Sequence, residues 1–154
     1  MIKTHAPGKL FVAGEYSVVE PGYPAILAAV DRYIDISLER CENWGSISSD
    51  RNGSMLWCRG RDTIAAFDTD NGLPHIACAV NTAETYAKEQ GRELDYYCIS
   101  VTSQLQNVKG EKYGLGSSGA VTVATIKVLC EYYDLSLSRE ELFKLCCMSQ
   151  FPIS

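Results

Sequence analysis

Hydrophobic and polar positions alternate most regularly in the segment 33–39. The apolar members fall on every second residue: Ile34, Ile36 and Leu38. Because successive side chains of a β-strand point to opposite faces, this period of two predicts a half-exposed strand. Two shorter apolar runs precede it. Leu10–Ala13 predicts a short buried strand, whereas Pro24–Val30 fits either a strand or a buried helix, since periodicity does not separate the two.

A hairpin and a further strand are predicted downstream of this alternation. The region Cys41–Arg61 combines short strand-like runs with turn residues, and the dipeptide Asn52-Gly53 is a strong signal for a tight hairpin turn. The segment 95–103, which reads DYYCISVTS, is rich in aromatic and β-branched residues and predicts another strand.

Two helices are predicted from apolar residues that recur with the helical period. The first spans Pro74–Gln90, where proline suits the first turn and Gly91 suits the end. Its apolar face consists of Ile76, Val80, Ala83 and Ala87. The second helix runs from about Gly119 to Tyr133. Its apolar face consists of Val121, Ala124, Val128 and Tyr132.

A third helix is predicted over Arg139–Ser149. Ser138 precedes it and Glu141 follows three residues later, which is the pattern of a capping box. Strands come first along the chain and helices cluster in its second half. This order predicts an α+β fold rather than a regular alternation of strands and helices.

Charge and composition exclude some classes of function for this chain. The net charge of −5 argues against a general binder of nucleic acids or membrane surfaces, but it leaves room for a small anionic ligand held by local cations. No apolar run is long enough to span a bilayer, and the N-terminus lacks the pattern of a signal peptide. A cytoplasmic protein is therefore expected.

The cysteines suggest neither a disulfide framework nor a zinc site. There are seven of them, an odd number, and no C-x-x-C pair occurs. Most are expected to be buried small hydrophobic residues in a reducing cytosol. Cys146 and Cys147 fall on an apolar helix face and are expected in the core, while His5 and His75 receive no role.

The segment GLGSSG is the most unusual stretch of the chain. Its three glycines, Gly114, Gly116 and Gly119, match the spacing of the dinucleotide-binding fingerprint, and Asp134 follows 20 residues after the first. That fingerprint needs a strand directly before the glycines and a second strand ending at the acidic residue, whereas here a polar connection and two helices flank the loop. A Walker-type loop is also excluded, because no Gly-Lys-Ser/Thr follows.

Two interpretations of the glycine loop stay open. In one, the loop is an ordinary turn in which Ser117 or Ser118 caps the following helix. In the other, the glycines let the backbone approach a phosphate that binds to the unpaired amides and positive dipole of the helix start. The second interpretation also accounts for both serines and for nearby Lys112. A serine hydroxyl is an oxygen ligand of the kind that Mg²⁺ binds.

Two separated motifs resemble those of a known family. GLGSSGA, Gly114–Ala120, resembles the phosphate-binding loop of the GHMP kinases, the small-metabolite kinases that include galactokinase, homoserine kinase, mevalonate kinase and phosphomevalonate kinase. The N-terminal stretch APGKLFVAGEYSVVEPGYPAILAAVDRY matches the same family more closely. Its GEY in place of GEH, the EPGYPA that follows, the KYGLGSSG loop and the late YDLSLSREELFKL are most similar to bacterial phosphomevalonate kinases.

The resemblance implies a fold and a set of roles. The fold would be a ribosomal-protein-like α+β domain covering 1–154, with a mixed sheet and helices on one face. ATP phosphates would be surrounded by Gly114, Leu115, Gly116, Ser117, Ser118 and Gly119. Ser118 would ligate Mg²⁺, and Lys9 would act at the transferred phosphoryl group. The acceptor side would be lined by Glu15, Tyr16 and Lys112.

Plainer interpretations of these residues stay open on the sequence alone. Lys9 and Lys112 could be ordinary solvated lysines, and Glu15 could be a turn carboxylate that accepts hydrogen bonds from backbone amides. The family's acidic catalytic residue and its C-terminal domain are expected beyond Ser154.

The function implied by the resemblance is transfer of the γ-phosphoryl group of ATP to phosphomevalonate, giving the diphosphate, in the mevalonate route to isoprenoids. The alternatives are a mevalonate kinase, or a non-catalytic fragment that binds nucleotide. Small molecules are the expected partners, without nucleic acid or membrane. Residues 1–154 alone are expected to be inactive and to self-associate through an uncovered face.

Overall fold

The computed structural model describes residues 1–50, 53–59, 73–107, 111 and 113–151. In chain order the elements are β1 Ile2–Ala13, a 3₁₀ turn Ser17–Val19, β2 Ile26–Cys41, β3 Gly45–Ser49, β4 Gly53–Trp57, α1 Pro74–Glu89, β5 Tyr96–Ser103, α2 Ser117–Tyr132 and α3 Arg139–Gln150. The strands form one sheet in the order β1-β2-β5-β3-β4. It is mixed, because β3 pairs in parallel with β5 and the other pairs are antiparallel.

The helices cover one face of the sheet, as the family resemblance implied. Alternate residues of the two central strands point into the core: Ile34, Ile36, Leu38, Tyr97, Ile99 and Val101. Helix α2 packs on β1 and β2, where the Thr4 hydroxyl donates to the Ala124 carbonyl at 2.8 Å. Helices α1 and α3 pack against α2 and against each other. The other face carries polar residues such as Ser100 and Thr102, so only one layer of helices is needed.

The apolar runs near the N-terminus form an exposed arm instead of buried structure. Pairing between β1 and β2 is interrupted after Pro7, and the strands then continue together as far as Ala13 and Ile26. We call residues 9–13 and 26–29 the β1–β2 arm. Leu10 and Val12 are exposed, so the prediction of a buried strand at Leu10–Ala13 is wrong about burial. The open choice for Pro24–Val30 is decided in favour of a strand from Ile26 onward.

The predicted helices and hairpin are confirmed where they are described. Helix α1 ends within one residue of its prediction, and α2 begins two residues earlier than expected. The capping box of α3 is present, with the Ser138 hydroxyl accepting from the Glu141 amide at 3.2 Å. Strands β3 and β4 form the predicted hairpin, although Asn52 of its turn signal lies outside the described residues. None of the helices in the described ranges has the length and apolar character needed to cross a membrane.

The cysteines depart from their predictions. Cys41 of β2 and Cys98 of β5 form a disulfide, although no pairing was expected from the sequence. The two strands are neighbours in the sheet, which brings residues 57 positions apart in the chain into contact. Among the free cysteines of the described ranges, Cys130 alone is buried, whereas Cys58 and Cys147 are exposed. The placement of most cysteines in the core is therefore wrong.

Candidate functional site

The glycine loop ends in a helix start with unpaired amides. Gly114 and Gly116 have φ angles of 73° and 69°, in the left-handed region that glycine enters without a steric penalty. Gly116 is the N-cap of α2, and the first helical hydrogen bond runs from the Ala120 amide to the Gly116 carbonyl at 3.1 Å. The amides of residues 117–119 therefore lack intrahelical acceptors, and the positive end of the helix dipole lies with them.

Neither serine of the loop caps the helix. The N-cap position belongs to Gly116, and no side chain makes a capping hydrogen bond there. Ser117 and Ser118 are the first two residues of α2, so their hydroxyls are free of the role that the plain-turn interpretation gave them. The prediction that a serine caps this helix is therefore wrong, and phosphate binding at the helix start stays a prediction.

Strand β1 is joined to the loop through its backbone. The Lys9 amide donates to the Leu115 carbonyl at 2.8 Å. The close approach depends on Gly8, because a Cβ at that position would lie 2.9 Å from the Leu115 oxygen and 2.7 Å from Leu105 Cδ2. Any larger residue at position 8 would push the loop away from the strand.

The side chain of Lys9 crosses the loop at Gly116. A Cβ at Gly116 would lie 2.8 Å from Lys9 Cγ and 3.0 Å from Lys9 Cε, so the missing side chain makes room for the lysine stem. The Lys9 ammonium lies 3.7 Å from the centre of the Phe11 ring. Lys9 is half-buried, so part of its side chain is covered by these neighbours.

Two clefts flank the start of α2. One holds about 490 Å³ and is mainly apolar; it is lined by residues of β1, α2 and α3 that include Lys9, Gly116, Gly119 and Phe143. The other, of about 70 Å³, is lined by residues that include Ser117, Ser118, His75 and Gln106. The structure thus brings Lys9 and the loop serines to the same helix end, but on different sides of it.

The predicted acceptor residues are not gathered with the loop. Glu15 and Tyr16 lie in the turn after β1, and both are exposed. Neither lines a cleft beside the start of α2. Lys112 lies outside the described residues. Leu115, predicted to surround the phosphates, is half-buried and packs against the hydrophobic core, while its carbonyl accepts the hydrogen bond from the Lys9 amide.

Several residues that line the larger cleft or contact its Lys9 were missed by sequence reasoning. Gly8 and Phe11 support Lys9, and a signal was available for Phe11, because residues two apart on a strand share a face. Helix α3 supplies the far wall with Phe143, Cys146 and Cys147. Burial, with a smaller effect of Cys147, raises the pKa of the Cys146 thiol to about 11. Cys147 is exposed, so only Cys146 is near its predicted environment.

The donor set around the helix start suits an anion better than a metal ion alone. The described ranges contain no cluster of three or more His, Cys, Asp or Glu side chains that could hold a metal. Ser118 offers one hydroxyl oxygen, a ligand type that Mg²⁺ accepts. A magnesium ion here would need further oxygens, such as those of a bound polyphosphate.

Comparison with known proteins finds relatives over most of this chain. The family model of the GHMP kinases N terminal domain matches residues 75–151, which contain the loop, α2, α3 and all of α1 except Pro74. Phosphomevalonate kinase from Streptomyces sp. (strain CL190) is 42% identical over 156 residues, covering 94% of this chain and 41% of the relative. Mevalonate kinase from Thermococcus sibiricus is 35% identical, covering 91% of this chain and 41% of the relative.

A solved structure shows the same fold. Streptococcus pneumoniae phosphomevalonate kinase, in complex with phosphomevalonate and AMPPNP, matches with a TM-score of 0.82 at 26% identity. The match covers 100% of this chain and 44% of that one. The chain therefore spans less than half the length of the relatives that it matches.

Proposed function

Because this chain belongs to the GHMP kinases, through their N-terminal domain, we propose that its glycine loop binds the phosphates of ATP. The binding groups would be the backbone amides of residues 117–119, which have no intrahelical partner. An anion at this helix end would gain about 0.3–1 kcal/mol from the dipole, and more in a partly buried site.

The observation that carries this proposal is Gly119. It lies in the first turn of α2, its φ is not in the left-handed region, and a Cβ built there would meet no atom of the described residues within 4 Å, the adjacent backbone of its own helix aside. Alanine would therefore fit, and in a helix it is favoured over glycine by roughly 0.5–1 kcal/mol. Since the fold gives no reason for glycine here, close approach of a ligand to the backbone is the better explanation.

Lys9 is proposed as the catalytic cation of the same site. Phosphoryl transfer depends mainly on positioning and on neutralising the charge that spreads over the phosphoryl oxygens. Lys9 lines the cleft that also contains Gly116 and Gly119, and its amide is bonded to the loop. A lysine point charge held beside the phosphates would provide part of that neutralisation.

Mg²⁺ is proposed as the metal cofactor, with Ser118 as its protein ligand. The ion would supply charge neutralisation between the phosphates when bound. The Ser118 hydroxyl is not engaged in capping, so it is available for this role. His75, Gln106 and Ser103 line the cleft that Ser118 faces and would bound the same region.

Phosphomevalonate is the proposed acceptor. The support is the 42% identity with a phosphomevalonate kinase over most of this chain, compared with 35% for a mevalonate kinase. Glu15, Tyr16 and Lys112 stay proposed acceptor residues. Because this chain spans 41% of those relatives, transfer to the acceptor is proposed for the enzyme as a whole, and nucleotide binding for the described domain.

The test is calorimetric titration of this chain with ATP and Mg²⁺, followed by an ADP-release assay offering phosphomevalonate and mevalonate separately. Saturable binding of ATP, with no binding of the same nucleoside lacking its triphosphate, would support the phosphate cradle. Absence of any nucleotide binding would refute it. Turnover with mevalonate alone would replace the proposed acceptor, and binding without turnover would favour a nucleotide-binding domain that is not catalytic by itself.

A further inference from the structure

We infer that Phe11 is a positioning residue for Lys9, with its ring holding the lysine ammonium at the cleft beside Gly116 and Gly119. The Lys9 ammonium lies 3.7 Å from the ring centre, well within the roughly 6 Å over which a cation is attracted to an aromatic face. The inference rests on the proposed function, in which Lys9 faces the phosphates of the nucleotide.

The break in strand pairing explains how both side chains reach this position. In the first half of β1, the even-numbered residues Thr4, Ala6 and Gly8 are buried. Regular pairing with β2 is lost between Pro7 and Lys9. Beyond the break the pattern reverses, because the odd-numbered Lys9 and Phe11 are half-buried whereas Leu10 and Val12 are exposed. Lys9 and Phe11 therefore share the face of the β1–β2 arm that turns toward the loop.

Two neighbours lie against the Lys9 side chain, one at its stem and one at its tip. Its stem passes the space left open at Gly116, where a Cβ would lie 2.8 Å from Cγ. Its tip lies against the Phe11 ring. Without the ring, the stem would keep its path, but the ammonium would regain rotamer freedom that a bound anion must then remove.

An aromatic partner orients the lysine without cancelling its charge. Within the described part of the chain, Lys9 forms no ion pair with a carboxylate. A carboxylate partner would compete with phosphate for the ammonium, whereas a neutral ring attracts the cation and leaves its full charge for the anion. Phe11 is thus suited to prepare Lys9 for an anionic ligand that arrives later.

The first experiment reads the contact without ligand. In the 154-residue chain with ¹³C-labelled lysine, the Lys9 Cε–Hε signal should show an upfield ring-current shift. Phe11→Leu should abolish that shift, and Phe11→Tyr, which keeps the ring, should retain it. Leu10→Ala is the matched control, because Leu10 is the exposed residue between the two on the same strand. A Lys9 signal that is unchanged in Phe11→Leu would overturn the inference.

The second experiment connects the contact with binding of ATP and Mg²⁺ by calorimetry. Phe11→Leu should weaken the affinity by about 2- to 5-fold, the loss of an exposed cation–π contact, and Phe11→Tyr should restore it. In a Lys9→Met background Phe11→Leu should have no further effect, which is the signature of action through Lys9.

The outcomes separate this inference from the proposed function. Suppose that the wild type binds nucleotide, and that Phe11→Leu weakens binding equally with Lys9 present and with Lys9 replaced by Met. That result would overturn the positioning role and leave the proposed function standing. A wild-type chain that binds no nucleotide would overturn the proposed function and the positioning role together. Unchanged backbone amide spectra of Phe11→Leu serve as the check that the variant is folded.

Discussion

The Arg59 guanidinium forms a two-pronged ion pair with the Glu84 carboxylate, with Arg59 Nη1 lying 2.7 Å from Glu84 Oε2. Glu84 is fully buried and also accepts hydrogen bonds from the hydroxyls of Tyr97 and Tyr133. Burial by itself would lower the pKa of Arg59, but the hydrogen bond and charge of Glu84 outweigh it and the pKa is raised. The pair ties the end of β4 to α1 and β5.

Breaking this pair should strongly destabilise the fold. Arg59→Met would remove the Arg59 charge from the buried Glu84 carboxylate, and we expect the free energy of unfolding to fall by about 3–5 kcal/mol. Urea denaturation followed by circular dichroism measures the change. The matched control is Arg40→Met, because the Arg40–Asp95 pair has side chains 71% and 41% exposed and should contribute at most about 1 kcal/mol. Equal stability of the two variants would contradict the prediction.

Gly119→Ala should separate stability from binding. Because a Cβ at this position clashes with none of the described residues, we expect the free energy of unfolding to rise by roughly 0.5–1 kcal/mol. The same methyl group would stand where the phosphates approach, so the affinity for ATP should fall about tenfold. Thermal melting and calorimetry measure the two effects. Glu131→Ala, exposed on the same helix, should change neither. Undiminished affinity in Gly119→Ala would remove the main support for the phosphate cradle.

Lys9→Met and Ser118→Ala should affect different steps, and they are best tested in an intact homologous kinase. Loss of one contact that strengthens in the transition state lowers the rate by about 10²–10³, so Lys9→Met should reduce kcat more than it raises KM. Ser118→Ala should instead raise the Mg²⁺ concentration needed for half-maximal rate. Steady-state kinetics at varied Mg²⁺ distinguishes the two. Near wild-type turnover in Lys9→Met would refute its proposed catalytic role.

Reduction of the Cys41–Cys98 disulfide should lower thermal stability. The bond closes a loop of sequence separation 57, which contains β3, β4 and α1, and such a link restricts the unfolded chain. We expect Tm to fall by about 5–15 °C on treatment with dithiothreitol. Cys41→Ser should melt at the reduced value with and without the reductant, while Cys147→Ser, an exposed free thiol elsewhere, should respond like the wild type. A wild-type Tm that is insensitive to reductant would contradict the prediction.

The β1–β2 arm should promote self-association of the 154-residue chain. Val12 and Ile26 are 62% and 61% exposed, and they belong to a larger group of exposed apolar residues around the arm: Leu10, Tyr16, Val18, Val19, Tyr23 and Leu27. Apolar surface of this kind tends to be buried between molecules. Val12→Lys should shift the mass measured by light scattering toward the monomer, whereas Leu56→Lys, on exposed β4, should not. A monomeric wild type at high concentration would refute the prediction.

Local elements of the fold were predictable because their causes are local. The helical period around Ile76 and Val80, the strand alternation at Ile34 and Ile36, and the capping box at Ser138 each act within a few residues. The sequence GLGSSG likewise indicated a glycine-rich loop leading into a helix, and the motifs around it indicated the family. These features form through interactions between residues that are close together in the sequence.

Only the tertiary structure decided which apolar residues are covered and which distant residues meet. Leu10 and Val12 have the composition of a buried strand, yet in the β1–β2 arm their side chains are 49% and 62% exposed. The disulfide of Cys41 with Cys98 depends on strand order, since β5 inserts between β2 and β3.

The candidate site also divides into features that the sequence indicated and features that depend on tertiary contacts. Lys9 was identified from its motif, but its position across Gly116 exists only because β1 bonds to Leu115, more than 100 residues along the chain. Arg59 and Glu84 likewise carry no sequence signal for one another. A sequence pattern reports the preferences of each segment for water or core and for strand or helix. Which segments then become neighbours is decided by the free energy of packing the whole sheet and its helices together.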